Sequence, residues 1–168
     1  ARTKKCFCPF FNIAAFTALT TVISFNSFAQ QSGENLYQQC VVCHGEHGNG
    51  VEALKAPAIA GQDVNYLIRQ LVHFSSDVRG KAEQAKSMAV IAKGLVKADL
   101  DKLVIYIQAM PIAKDINTNT TIGDLKNGSR YYQAKCGACH GGQAEGNKIF
   151  SAPSLANQSS QYLLQQMQ

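Results

Sequence analysis

Two five-residue stretches concentrate the chemistry of this 168-residue chain: Cys40-Val41-Val42-Cys43-His44 and Cys136-Gly137-Ala138-Cys139-His140. Cysteines three apart lie on one side of a helical turn. Their thiols can reach the two vinyl groups along one porphyrin edge and form thioethers, and the next residue directs its imidazole under the ring to bind iron. C-x-x-C-H is the attachment pattern of c-type haem. Other uses of the cysteines fit less well. A disulfide framework needs no histidine after each pair. A zinc site of two C-x-x-C pairs needs them about 15 to 20 residues apart, whereas 92 residues separate Cys43 from Cys136. A thioredoxin-like pair follows a β-strand, and Gln38-Gln39 belongs to none. The expected cofactors are two covalently bound haem c groups, attached by Cys40, Cys43, Cys136 and Cys139, with His44 and His140 as iron ligands.

The second axial position decides between electron transfer and catalysis. His47 lies three residues after His44 in a Gly-rich loop and cannot cross to the opposite face of the same haem. His73 reads as a partly exposed helix residue, and Met110 beside Pro111 as packing. Met88, in the loop-like Lys86-Ser87-Met88-Ala89 segment, is the favoured ligand; its competing role is a core methionine. A thioether stabilises reduced iron relative to imidazole, and six-coordinate iron leaves no position for substrate. The pattern predicts an electron carrier, not an enzyme, with no small-molecule substrate.

Sliding the chain against itself by 96 residues superposes both motifs. It also pairs Gly50 with Gly146, Ala56-Pro57 with Ala152-Pro153, Gln62 with Gln158, Tyr66-Leu67 with Tyr162-Leu163, and Gln70 with Gln166. Two tandem copies of one domain follow, spanning 30–113 and 123–168, with a polar linker over 114–122. The second copy is incomplete: Val72 to Met110 have no counterparts before Gln168, and 88 plus 96 falls beyond that residue. Met167 superposes on Leu71 and reads as helix core, so the second iron is expected to have an open or water-filled sixth position.

The elements that must hold these residues are helices. Glu34 to Cys43 places Leu36, Gln39, Cys40 and Cys43 on one face, and Tyr131 to Cys139 repeats it. Asp63 caps a second helix with Tyr66, Leu67, Leu71 and Phe74 as its apolar stripe, copied from Ser159 or Ser160. A third runs from about Ala98 to Ala109, weakly capped by Val96 or Lys97 and ended by Pro111. The fold class is all-α. So small a core needs a further component at its centre, which a covalent haem supplies.

Residues 1–29 carry a basic start (Arg2, Lys4, Lys5), an apolar run and a small-x-small ending at Ser27-Phe28-Ala29, which predicts a signal peptide and a periplasmic protein; the competing reading of the run, diluted by Asn12, Thr17, Thr20, Thr21 and Ser24, is an uncleaved membrane anchor. Cys6 and Cys8 fall within residues 1–29. Without the signal the chain has 13 basic against 11 acidic residues, too balanced for a nucleic-acid footprint. Arg79, Lys81, Lys86, Lys93, Lys97 and Lys102 surround Met88, offset by Asp77, Glu83, Asp99 and Asp101. They form either a docking patch for an acidic partner or an ordinary mixed surface.

Together these residues resemble the di-haem class I c-type cytochromes of the cytochrome c4 kind. The resemblance spans about 33 to 168 and rests on Cys-Val-Val-Cys-His-Gly, Gly48-Asn49-Gly50, Ala56 to Gln62, Tyr66-Leu67, Gln70-Leu71, Met88 and the helix from Leu95 to Tyr106. It implies a cytochrome c fold in each half, His/Met ligation, and Pro57 and Pro153 carbonyls that orient the imidazoles. It also implies respiratory electron transfer in the periplasm or at the membrane surface, with redox protein partners: a membrane donor complex and a terminal oxidase. The same domains also serve as the cytochrome subunit of a periplasmic dehydrogenase, although the chain has no dinucleotide fingerprint of its own.

Overall fold

The computed structural model describes residues 31–79, 83–112 and 123–168. The expected signal over 1–29, Lys81 and the whole of the expected linker over 114–122 lie outside them. The described residues form seven α-helices, one short 3-10 turn and no strand. The first half contains α1 (Gly33–His44), the 3-10 turn Glu52–Leu54, α2 (Val64–Ser75), α3 (Glu83–Gly94) and α4 (Lys97–Ala109). The second half contains α5 (Leu125–Lys135), α6 (Gly137–His140) and α7 (Ser160–Gln166).

Helix starts follow the capping chemistry of the sequence. The Ser32 hydroxyl accepts from the Asn35 amide at 3.2 Å, and the Asp63 carboxylate from the Tyr66 amide at 3.0 Å. Ser159 does the same for α7, accepting from the Tyr162 amide at 3.1 Å. Each satisfies an amide that the helix leaves without a partner. Val96, the residue before α4, makes no side-chain cap. In the first half α1 packs on α4, and α2 packs on both α3 and α4. Their apolar faces meet in a core of Leu36, Tyr37, Leu67, Leu71, Phe74, Leu103, Val104, Ile107 and Met110. Met110 is buried packing, as its place beside Pro111 suggests.

Three sequence expectations change. The segment carrying Met88 is helix α3, not a loop; Glu83, Ala85, Lys86 and Ala89 are good helix formers, and their propensity outweighs the expected wrap. The helix expected over Tyr131 to Cys139 is split at Cys136. Tyr132 stands four residues before Cys136 whereas Tyr37 stands three before Cys40, and the break absorbs the extra residue. Both tyrosines still donate to the matching carbonyls, Gly45 and Gly141, at 2.6 Å each. Met167 is 77% exposed, not core, because α7 has no partners like α3 and α4 among the described residues.

The duplication is visible in the backbone. Gly45, Gly48, Gly50, Lys55 and Gly61 adopt positive φ, and so do the positions 96 residues on: Gly141, Ala144, Gly146, Ser151 and Asn157. The isolated bridge Val51 to Ala56 recurs as Asn147 to Ala152. Amides of Ile59 and Ala60 donate to the Gly48 carbonyl, and those of Leu155 and Ala156 to the Ala144 carbonyl. Loop geometry is thus repeated even where the side chains differ.

Candidate haem sites

The last turn of α1 carries Cys40, Cys43 and His44. Cys40 is half-buried and Cys43 exposed, and both are free thiols, as are Cys136 and Cys139. Burial, then the neighbouring Cys43, pushes the Cys40 thiol up to about 11.

Gly45 ends α1 with φ 79° and turns the chain away. The Gly50 amide then returns to the His44 carbonyl at 2.9 Å. Gly50 has φ 80°, and a Cβ there would stand 2.6 Å from the Ala56 oxygen and 2.8 Å from the Pro57 carbonyl carbon. Only glycine lets these two loop strands approach so closely. That approach puts the Pro57 carbonyl 2.9 Å from Nδ1 of His44, and Pro153 holds His140 at the same distance. A carbonyl can only accept, so each Nδ1 carries the proton and each Nε2 lone pair is left for a metal. His44 is buried; that burial pushes its imidazole below the usual range, against the Pro57 bond, which raises it. A neutral imidazole is the form that binds iron.

The donor set fits haem c: two thiols one helical turn apart, followed by a neutral imidazole whose tautomer is fixed. Among the described residues no cluster of three or more His, Cys, Asp or Glu could hold a bare metal ion. Met88 packs against the same core cluster as Cys40. His47 is exposed and His73 half-buried on α2.

Among the described residues, the basic groups named around Met88 have partners within the chain. Lys86 pairs with Glu83 at 2.5 Å, Lys93 with Asp77 at 2.8 Å, Lys97 with Asp101 at 3.3 Å and Lys102 with Asp99 at 3.7 Å. Arg79 bonds Gln70 of its own half and Gln166 of the second, and reaches the Tyr162 hydroxyl at 3.2 Å. The described groups thus form a surface of mixed charge.

The halves meet through side chains that the sequence offered only as repeated letters. The Gln62 carboxamide accepts from the Ser154 amide at 3.0 Å and donates to the Ser154 carbonyl at 2.8 Å. Gln158 accepts from the Ala58 amide at 3.0 Å and donates to the Ala58 carbonyl at 2.6 Å. Both glutamines are buried. Because 62 and 58 become 158 and 154 under the 96-residue offset, the contact is reciprocal, as at a two-fold axis. Arg69 adds a bond to the Ser151 carbonyl at 2.7 Å.

Comparison with known proteins agrees with this geometry. The cytochrome c family model matches residues 30–111 and 125–168. The chain is 30% identical to a thiosulfate dehydrogenase electron acceptor of Stutzerimonas stutzeri, over 78% of this chain and 66% of that protein. It is 25% identical to cytochrome c4 of Azotobacter vinelandii, over 91% and 80%. A thiosulfate dehydrogenase structure from Marichromatium purpuratum superposes with a TM-score of 0.67 at 28% identity, covering 80% of this chain but 31% of that one. Reduced cytochrome c4 from Pseudomonas stutzeri gives 0.66 at 24% identity, covering 80% and 76%. The chain thus spans slightly under two thirds of the first relative and under one third of the first structure. Two matched regions on one chain, each built around C-x-x-C-H and a proline carbonyl, make this chain a member of the cytochrome c family, with a tandem fold similar to that of cytochrome c4.

Proposed function

We propose that the protein is a periplasmic di-haem cytochrome that passes single electrons between protein partners, from a respiratory donor at the membrane toward a terminal oxidase. The observation that carries this reading is the doubled imidazole cradle, His44 on Pro57 and His140 on Pro153, each directly after a cysteine pair. Haem, when bound, supplies reversible one-electron chemistry at iron. Cys40 and Cys43 hold one group and Cys136 and Cys139 the other. His44 and His140 would bind the irons, their rings held in orientation by the proline carbonyls. Met88 would supply a thioether donor to the iron of the first half. The signal-like pattern of the sequence over 1–29 supports the periplasmic location.

A second reading has its own observation. The relationship to a thiosulfate dehydrogenase electron acceptor favours a chain that takes electrons from a dehydrogenase. Stopped-flow mixing of the purified, haem-loaded chain separates the two. The first reading expects the reduced protein to be oxidised by oxidase-containing membranes; the second expects the oxidised protein to be reduced by thiosulfate dehydrogenase plus thiosulfate. Exchange with neither, or substrate turnover by the chain alone, would defeat both. Replacing Met88 with Leu is expected to abolish the thioether–iron charge-transfer band of the oxidised first haem; an unchanged band removes Met88 from the ligand set.

A further inference from the structure

The peptide between Pro57 and Ala58 is bonded at both ends. Its carbonyl oxygen accepts from Nδ1 of His44 at 2.9 Å, and its N–H donates to the Gln158 carboxamide of the other half at 3.0 Å. The peptide between Pro153 and Ser154 repeats the arrangement, with His140 at 2.9 Å on one end and Gln62 at 3.0 Å on the other. An amide whose N–H is engaged carries more negative charge on its oxygen, so hydrogen bonds in series strengthen one another. A stronger acceptor at Nδ1 makes the imidazole a better donor at Nε2, which favours oxidised iron.

We propose that Gln62 and Gln158 are crossed positioning residues: each half's buried glutamine polarises the peptide that holds the other half's iron-binding histidine, and so sets the other half's reduction potential. The inference rests on the two-haem reading above. Its particular content is the crossing. Gln158 acts on the haem of Cys40 and Cys43, while Gln62 acts on that of Cys136 and Cys139. A glutamine that merely joins the halves would alter stability without selecting one haem.

The test is spectroelectrochemical titration of the full, haem-loaded chain carrying Gln158→Met or Gln62→Met. Assignment uses a Cys136→Ser/Cys139→Ser background, in which haem is attached only in the first half. Gln158→Met is expected to raise the first haem's potential and to move the paramagnetically shifted NMR resonances of the His44 ring, with the second haem unmoved. Gln62→Met is expected to do the reverse. Should Gln158→Met not fold, Gln158→Glu, which keeps the accepting oxygen, is expected to hold the first potential at or below its wild-type value. Potentials that ignore both Met substitutions, that shift together, that follow the residue's own half, or that rise in Gln158→Glu would overturn the proposal. A chain without covalent haem would instead defeat the function proposed above.

Discussion

At the residue scale, the site depends on a few atoms whose positions leave no room for alternatives. Gly50 is the sharpest case, because a side chain there meets both the wrong φ and the backbone that delivers the Pro57 carbonyl. Gly50→Ala is expected to lower stability by about 1–3 kcal/mol and to weaken the His44 bond. Gly94, at the end of α3 with nothing within 4 Å of its would-be Cβ, should accept alanine with no loss. Denaturation midpoints of the two variants check the contrast; equal effects would remove the close-approach argument. The cysteines, the histidines and the glycine were all legible in the sequence, since each is tied to its neighbours by short spacing. The roles of Gln62 and Gln158 were not: their partners lie 92 and 100 residues away, and only the fold brings them together. The tyrosine bonds to Gly45 and Gly141 were missed for a smaller reason, the one-residue slip at Cys136 in an otherwise gapless repeat.

At the element scale, capping decides what propensity leaves open. Ser32, Asp63, Asp124 and Ser159 each bond an amide in the first turn of their helices, whereas α4 begins after an exposed valine. Val96 already has the extended backbone of a cap, φ −80° and ψ 153°, so only the accepting oxygen is missing. Val96→Ser is expected to raise stability by about 0.5–2 kcal/mol, read as a higher thermal midpoint with the Soret spectrum unchanged; a lower midpoint would show that the valine packs. The α2 and α4 helices were read nearly to their ends because their apolar stripes are regular. The α3 helix was missed although Glu83 to Lys93 is composed mostly of helix formers.

At the scale of the whole molecule, two copies of one loop-and-helix unit face each other across a buried pair of glutamines, with Arg79 tying Gln70 to Tyr162 and Gln166 at the margin. Burial is uneven. The first half encloses nearly all the core, while the second buries only Ala152 and Gln158 among its described residues and leaves Ile149, Phe150 and Leu164 exposed. The sequence made the duplication plain through identical letters at a fixed offset. It could not show that the halves join about a two-fold, because that depends on which surfaces meet. The central claim is that both C-x-x-C-H units hold haem covalently. The most direct measurement is the intact mass of the purified protein together with its pyridine-haemochrome absorbance. Two haem groups per chain, resistant to acid–acetone extraction, are the predicted result; cysteines that prove free, disulfide-linked or zinc-bound would contradict it.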